Sequence, residues 1–155
     1  MILRSRENPL THNKNVILFT GGQTWKFFDF VNECGDNLIE SWRNGLSEMG
    51  RNAFNDILKE NRKIKNHLNW LGFRGFLEGK CKKYRIWELG FKCDNVQHRL
   101  LNIFEPGRIV IILVGCYHKG RVYTPPDALN LACKRAQLLG EGYGQLPERK
   151  IRMDR

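Results

Sequence analysis

The sequence predicts an α+β domain built from an antiparallel helix hairpin, a β-meander and a C-terminal helix. Three observations predict it. Apolar residues recur at helical spacing between Leu38 and Leu68. Three strand-forming runs between Tyr84 and Cys116 are separated by turns of hairpin length. Thr124-Pro125-Pro126-Asp127 then opens a last amphipathic segment that Gly140 ends. At 155 residues the chain is long enough to bury one core without staples.

Taken in order, residues 1–15 are polar, carry Pro9 and three asparagines, and read as a flexible N-terminal arm. Residues 16–140 form the single domain. Val16–Phe19 is a short strand candidate, followed by a turn at Gly21-Gly22 and a second strand over Trp25–Val31. Leu38, Ile39, Trp42 and Leu46 mark a short helix. A longer one, from Gly50 to about Trp70, carries Ala53, Phe54, Ile57, Leu58, Ile64 and Leu68 on its apolar stripe. The turn between them is short, so the two helices run antiparallel. Residues 72–83 are a glycine- and lysine-rich connection. Strands over Tyr84–Phe91, Val96–Phe104 and Arg108–Cys116 are joined by Cys93-Asp94-Asn95 and Glu105-Pro106-Gly107. In the last helix, Thr124 is the expected N-cap, with Ala128, Leu129, Ala132, Ala136 and Leu139 on one face. Residues 141–155 read as a polar C-terminal tail. The four tryptophans are expected in the core or in hairpin packing.

The net charge of +10 favours an anionic partner, nucleic acid or an anionic membrane face. The charge is polarised. Ten Lys or Arg face three acids between Lys59 and Lys92, whereas Asp29 to Asp56 holds six acids against Arg43 and Arg51. That asymmetry predicts one basic face. No apolar run approaches a membrane span. The five cysteines are odd in number and lack a Cys-x-x-Cys pair, which points to free thiols in the cytoplasm. Their spacing from the histidines does not suit a structural zinc, so no metal and no cofactor are expected.

The run from Arg108 to Cys116 ends in Tyr117, His118, Lys119, Arg121 and Tyr123. Cleaving RNA through its own 2′-hydroxyl needs a base, an acid and cations for the phosphorane. His118 has the intrinsic pKa for acid or base work, and Lys119 could act as base if its pKa were lowered. Arg99, Arg85 and Arg121 are candidates to hold phosphate, and Tyr117 or Tyr123 to stack on a base. Lys80, Lys82 and Lys83 would grip the RNA backbone without reading sequence. Glu88 is expected to be structural, paired with a cation, and His12, His67 and His98 to have no catalytic role. Strand alternation alone does not gather these groups on one side: Arg99 shares parity with Leu101, and Glu88 opposes Leu89. A basic hairpin end feeding a helix accounts for the same residues equally well.

The order of Tyr84-Arg85-Ile86-Trp87-Glu88-Leu89, Gln97-His98-Arg99-Leu100-Leu101, the His118-Lys119 strand end, Tyr123-Thr124-Pro125-Pro126 and a helix ending in Lys134-Arg135 carries a resemblance. From about Trp25 to Leu139 the chain resembles the phage-derived RelE/HigB-like toxins of type II toxin–antitoxin systems. The resemblance implies a helix hairpin packed on a twisted antiparallel β-sheet, a microbial-ribonuclease-type fold. It implies cleavage of mRNA on the ribosome and neutralisation by a cognate antitoxin protein. It also places Arg99 at the scissile phosphate and His118 and Lys119 among the catalytic groups. Where relatives often have Glu-Leu-Arg, this chain has Glu88-Leu89-Gly90, and Arg85 is expected to supply the missing cation. A non-catalytic nucleic-acid-binding module and a ParE-like gyrase poison on the same fold are the competing expectations.

Overall fold

The computed structural model describes residues 16–19, 24–144 and 146–151. The predicted N-terminal arm lies outside them, as does the side chain of Lys80. Strand β1 (Lys26–Asp29) is followed by helices α1 (Leu38–Asn44) and α2 (Glu48–Asn61), then β2 (Phe73–Phe76), β3 (Trp87–Cys93), β4 (Val96–Glu105), β5 (Ile109–Lys119), β6 (Val122–Thr124) and helix α3 (Ala128–Gly140). Among the described residues no helix is long and apolar enough to cross a membrane.

The helix starts follow local chemistry. Asn37 accepts from the Glu40 amide at 2.9 Å, and Ser47 accepts from the Gly50 amide at 3.0 Å, each satisfying an orphan donor of the first turn. Helix α2 stops at Asn61, well short of Trp70. Its next carbonyls are diverted: Arg62 and Lys63 accept the Trp25 and Phe19 amides, and Ile64 accepts the indoles of Trp25 and Trp70 at 3.0 and 2.9 Å. The buried Asn61 amide clasps the Leu71 backbone in both directions, at 2.9 and 2.8 Å. Leu68, placed on the helix stripe by spacing, is therefore exposed in a 3-10 turn. The predicted Val16–Phe19 strand reduces to a single bridge between Leu18 and Ile64. The last helix begins at Ala128 behind Asp127 and has no side-chain cap, because Thr124 is used in β6.

The sheet corrects the predicted fold. It has six strands in the order β1-β5-β4-β3-β2, with β6 also on β5. The meander β3-β4-β5 is antiparallel as expected, but β1 joins β5 in parallel, Phe27 opposite Val110. The sheet is thus large and mixed, not an antiparallel sheet beneath a helix hairpin. Helices cover both its faces. Ile39, Phe54, Ile57 and Leu58 of α1 and α2 pack with Phe27, Leu89, Leu100 and Ile112. Ala128, Ala132 and Ala136 of α3 pack with Leu101, Ile103, Ile111 and Leu113 on the other side. A strand buried on both faces reads as a continuous apolar run, which is why Ile109 to Val114 shows no alternation.

The tryptophans are packing residues, as expected. Trp87 and Trp70 are buried, Trp87 stacks on Phe104 at 4.5 Å, and Trp42 lies directly on the backbone of Gly115. A Cβ at Gly115 would overlap that indole. Gly115→Ala is therefore expected to destabilise the fold by roughly 1–3 kcal/mol, as overpacking does. Chemical denaturation checks this; an unchanged midpoint would mean that α1 moves freely over β5.

The tail is not loose. Arg149 and Asp29 amides bond to the Phe27 and Pro147 carbonyls, which covers the outer edge of β1. Arg149 then folds inward with its side chain only 9% exposed. Its guanidinium donates to both Asp29 oxygens at 2.9 and 2.7 Å and to Glu40 at 2.6 Å.

Candidate functional site

Two bulges assemble a cluster that alternation alone keeps apart. In the β4–β5 ladder Leu101 faces Val114 but Asn102 faces Ile112, leaving Leu113 as the extra residue. Before that bulge, Val110 and Ile112 face α1 and α2; after it, Gly115 faces Trp42 and Val114 faces the α3 layer. The parity switch turns Cys116 and His118 to the side that carries Arg99 and, through the Glu88–Leu101 pair, Glu88. In the β2–β3 ladder Phe73 faces Leu89 and Gly75 faces Glu88, so Arg74 is the extra residue there. Its side chain is aimed over Gly90.

At the centre Arg99 is 4% exposed, opposite Gly90 on one side and Cys116 on the other. Its Nη1 donates to the His98 carbonyl at 3.0 Å and reaches Gln97 at 3.4 Å, while Nε lies 3.9 Å from Glu88. That Nε is buried and has no hydrogen-bond partner. This N–H has the Glu88 carboxylate at ion-pair distance but makes no hydrogen bond, which leaves it able to donate to a bound anion. Glu88, 8% exposed, accepts a hydrogen bond from the Tyr123 hydroxyl. The Tyr123 ring lies 4.6 Å from that of His118, its cross-strand partner on β5.

Gly90 makes the arrangement possible. A Cβ there would come within 2.8 Å of Arg99 Nη1 and 2.9 Å of Arg74 Cδ, so both arginine side chains cross the space a larger residue would occupy. Burial and the neighbouring Arg74 charge lower the Arg99 pKa, yet the guanidinium stays protonated at neutral pH. Burial, then the Arg99 charge, lower the His118 pKa. Burial and the bond to Glu88 push the Tyr123 hydroxyl up, so it is a donor and not a base. Burial holds the Cys116 thiol at about 12, which removes it as a nucleophile at neutral pH.

The cluster thus offers one carboxylate, one histidine and two arginines on a single sheet face. No family model, curated protein or solved structure matches the chain. The geometry therefore bears the functional argument.

Of the sequence-predicted residues, Arg99, His118 and Tyr123 come together. The Tyr123 hydroxyl is tied to Glu88 and its ring packs against His118. Lys119 and Tyr117 point to the opposite side of the sheet, because β5 runs to Lys119 and the strand alternation continues through them. Arg85 does not supply the missing cation. It sits in a left-handed turn (φ 59°), with its guanidinium over the Phe76 ring at 4.3 Å. Lys82 and Lys83 are exposed on the 3-10 turn Gly79–Tyr84, with Lys82 3.8 Å from Glu78 and Lys83 over Tyr84. Arg121 is exposed in the β5–β6 turn. Sequence reasoning missed Arg74, hidden in a segment read as a connection, and assigned Glu88 only a structural part. The available signal was the pairing of Phe73 and Phe76 around Arg74-Gly75, a short strand pattern inside the glycine-rich stretch.

Proposed function

We propose that this chain is a metal-free endoribonuclease, the toxin of a type II toxin–antitoxin pair related to the RelE/HigB-like toxins, acting in the cytoplasm on ribosome-bound mRNA. One observation carries the chemistry: Glu88, His118, Arg99 and Arg74 converge on one face around a buried guanidinium N–H that makes no hydrogen bond. The motif order carries the toxin assignment, and with it a cognate antitoxin as partner.

In this reading Arg99 and Arg74 hold the scissile phosphate from the floor and from the solvent side. Glu88 takes the proton of the ribose 2′-hydroxyl as that oxygen attacks phosphorus. Protonated His118 gives its proton to the departing 5′-oxygen. The P–O5′ bond breaks, leaving a 2′,3′-cyclic phosphate and a 5′-hydroxyl. Tyr123 orients the Glu88 carboxylate, and Lys82 and Lys83 attract the RNA backbone. A second reading, RNA binding without cleavage, is favoured by the burial of both Glu88 and Arg99.

Mapping mRNA 5′ ends after induction of the protein separates the two. New 5′-hydroxyl ends inside coding regions support the nuclease; growth and mRNA unchanged by the wild type refute it. The pH profile adds a test of His118. As the acid, it must be protonated, and its lowered pKa means that protonation is lost at a lower pH than for an ordinary histidine near 6.5. The alkaline limb of kcat/KM should therefore fall about tenfold per pH unit from below pH 6.5. Bound phosphate offsets the Arg99 and Arg74 charges, so the limb of kcat should lie at higher pH. A kcat/KM limb at or above that of free histidine would argue against this assignment.

A further inference from the structure

A groove of about 840 Å³ opens on the sheet face opposite the cluster, between the end of α1, Ser47, the β3–β4 turn and the end of β5. Its floor continues an aromatic row. Phe91, His98 and Tyr117 are direct cross-strand neighbours on β3, β4 and β5. The Phe91 and His98 rings stack at 5.0 Å with 26° between their planes, and Trp42 stands edge-on to His98 at 6.1 Å as a wall. Tyr117 is 37% exposed. His98 is 7% exposed, lines the groove, and its buried Nδ1 has no hydrogen-bond partner. Burial disfavours its charged form, so the floor is largely neutral. Lys119, Asn95 and Asp94, which accepts from the Ser47 hydroxyl at 2.9 Å, supply a polar rim.

In the nuclease cluster the Tyr123 ring is engaged through its hydroxyl with Glu88 and through its ring with His118. Proteins that hold single-stranded RNA do so by stacking splayed bases on aromatic side chains, often across neighbouring strands. Tyr117, His118 and Lys119 all line the groove, and the His118 ring also packs against Tyr123 of the cluster. The two sites thus meet at His118, around the open end of β5. We propose that this groove is a nucleobase subsite: a single-stranded RNA bent over the end of β5 stacks a base on Tyr117, between Trp42 and the polar rim, with Lys119 at the adjoining phosphate. This proposal rests on the nuclease reading for its position along the RNA.

The test uses the full chain and a short, labelled 2′-O-methyl RNA, which lacks the attacking hydroxyl and so reports binding alone. Fluorescence anisotropy should show affinity weaker by roughly tenfold for Tyr117→Ala, the scale of one lost base stack. Tyr117→Trp should restore it. A strand made abasic throughout should bind the wild type and Tyr117→Ala alike. If the normal strand binds Tyr117→Ala as tightly as wild type, or if the tyrosine effect persists on the abasic strand, the groove does not hold a base and the proposal falls. Cleavage of ordinary RNA is scored separately. A wild type that cleaves but binds independently of Tyr117 loses the subsite alone. A wild type that binds through Tyr117 but never cleaves loses the nuclease reading alone.

Discussion

Replacing Glu88 with glutamine is expected to slow RNA cleavage by roughly 10²–10⁴-fold, the contribution of a well-placed proton acceptor. Glutamine keeps the size of the side chain and an oxygen to accept from Tyr123, but it cannot take a proton from the 2′-hydroxyl. The loss should appear in kcat. It should also leave Arg99 buried beside a neutral partner, so stability is measured in parallel by denaturation and the rate is scored per folded molecule. Arg74→Ala separates the structural site from the sequence expectation. It should cost roughly tenfold to a hundredfold, less than a fully buried donor, because Arg74 is exposed. Arg85→Ala should leave the rate nearly unchanged, since that guanidinium covers Phe76. Wild-type kcat in Glu88→Gln would make the carboxylate a structural group and the cluster a binding site at most. A loss in Arg85→Ala that exceeds the loss in Arg74→Ala would restore the sequence expectation.

Arg149→Ala is expected to destabilise the chain by about 3–5 kcal/mol, the usual consequence of removing one partner from a buried ion pair. Asp29 is 3% exposed and receives both prongs of the Arg149 fork as well as the Asn37 amide at 3.0 Å. Without the guanidinium, its carboxylate stays buried with that amide as its remaining side-chain donor. The Arg149 guanidinium also packs over Phe54, 5.0 Å from the ring, so packing is lost with the charge. For a chain of this size the melting temperature should drop by roughly 10 °C. Asp29→Asn combined with Arg149→Met should recover much of the loss, because a neutral pair removes the unpaired charge. A drop of only a degree or so in Arg149→Ala would show that the tail contributes little to the β1 edge.

Much of the local structure was legible. The helical spacing of Leu38, Ile39 and Trp42 marks α1, and the turns at Cys93-Asp94-Asn95 and Glu105-Pro106-Gly107 delimit the meander. These signals act within a few residues, so they survive without knowledge of the fold. Strand β2 was not legible, because a four-residue bulged strand containing Gly75 resembles a loop. The end of α2 was hidden for a different reason. Ile64 continues the apolar stripe, but its carbonyl is claimed by two indoles from distant segments.

The candidate site divides in the same way. Arg99 and His118 stand out from chemistry and order alone. Glu88 and Arg74 do not, since one was expected to make an ordinary ion pair and the other lies in an apparent connection. The cationic, imidazole-bearing end of β5 was thus determined by the sequence itself. Which of its residues work together was decided only by the tertiary structure. With helices on both faces, each strand is apolar on both sides, so alternation yields two sets of residues without saying which layer each set meets. The bulge at Leu113 then exchanges those sets, turning His118 toward Arg99 and Lys119 away from it. The parallel pairing of β1 with β5 likewise joins segments from opposite ends of the chain. Such contacts depend on the assembled core, and no short stretch of sequence encodes them.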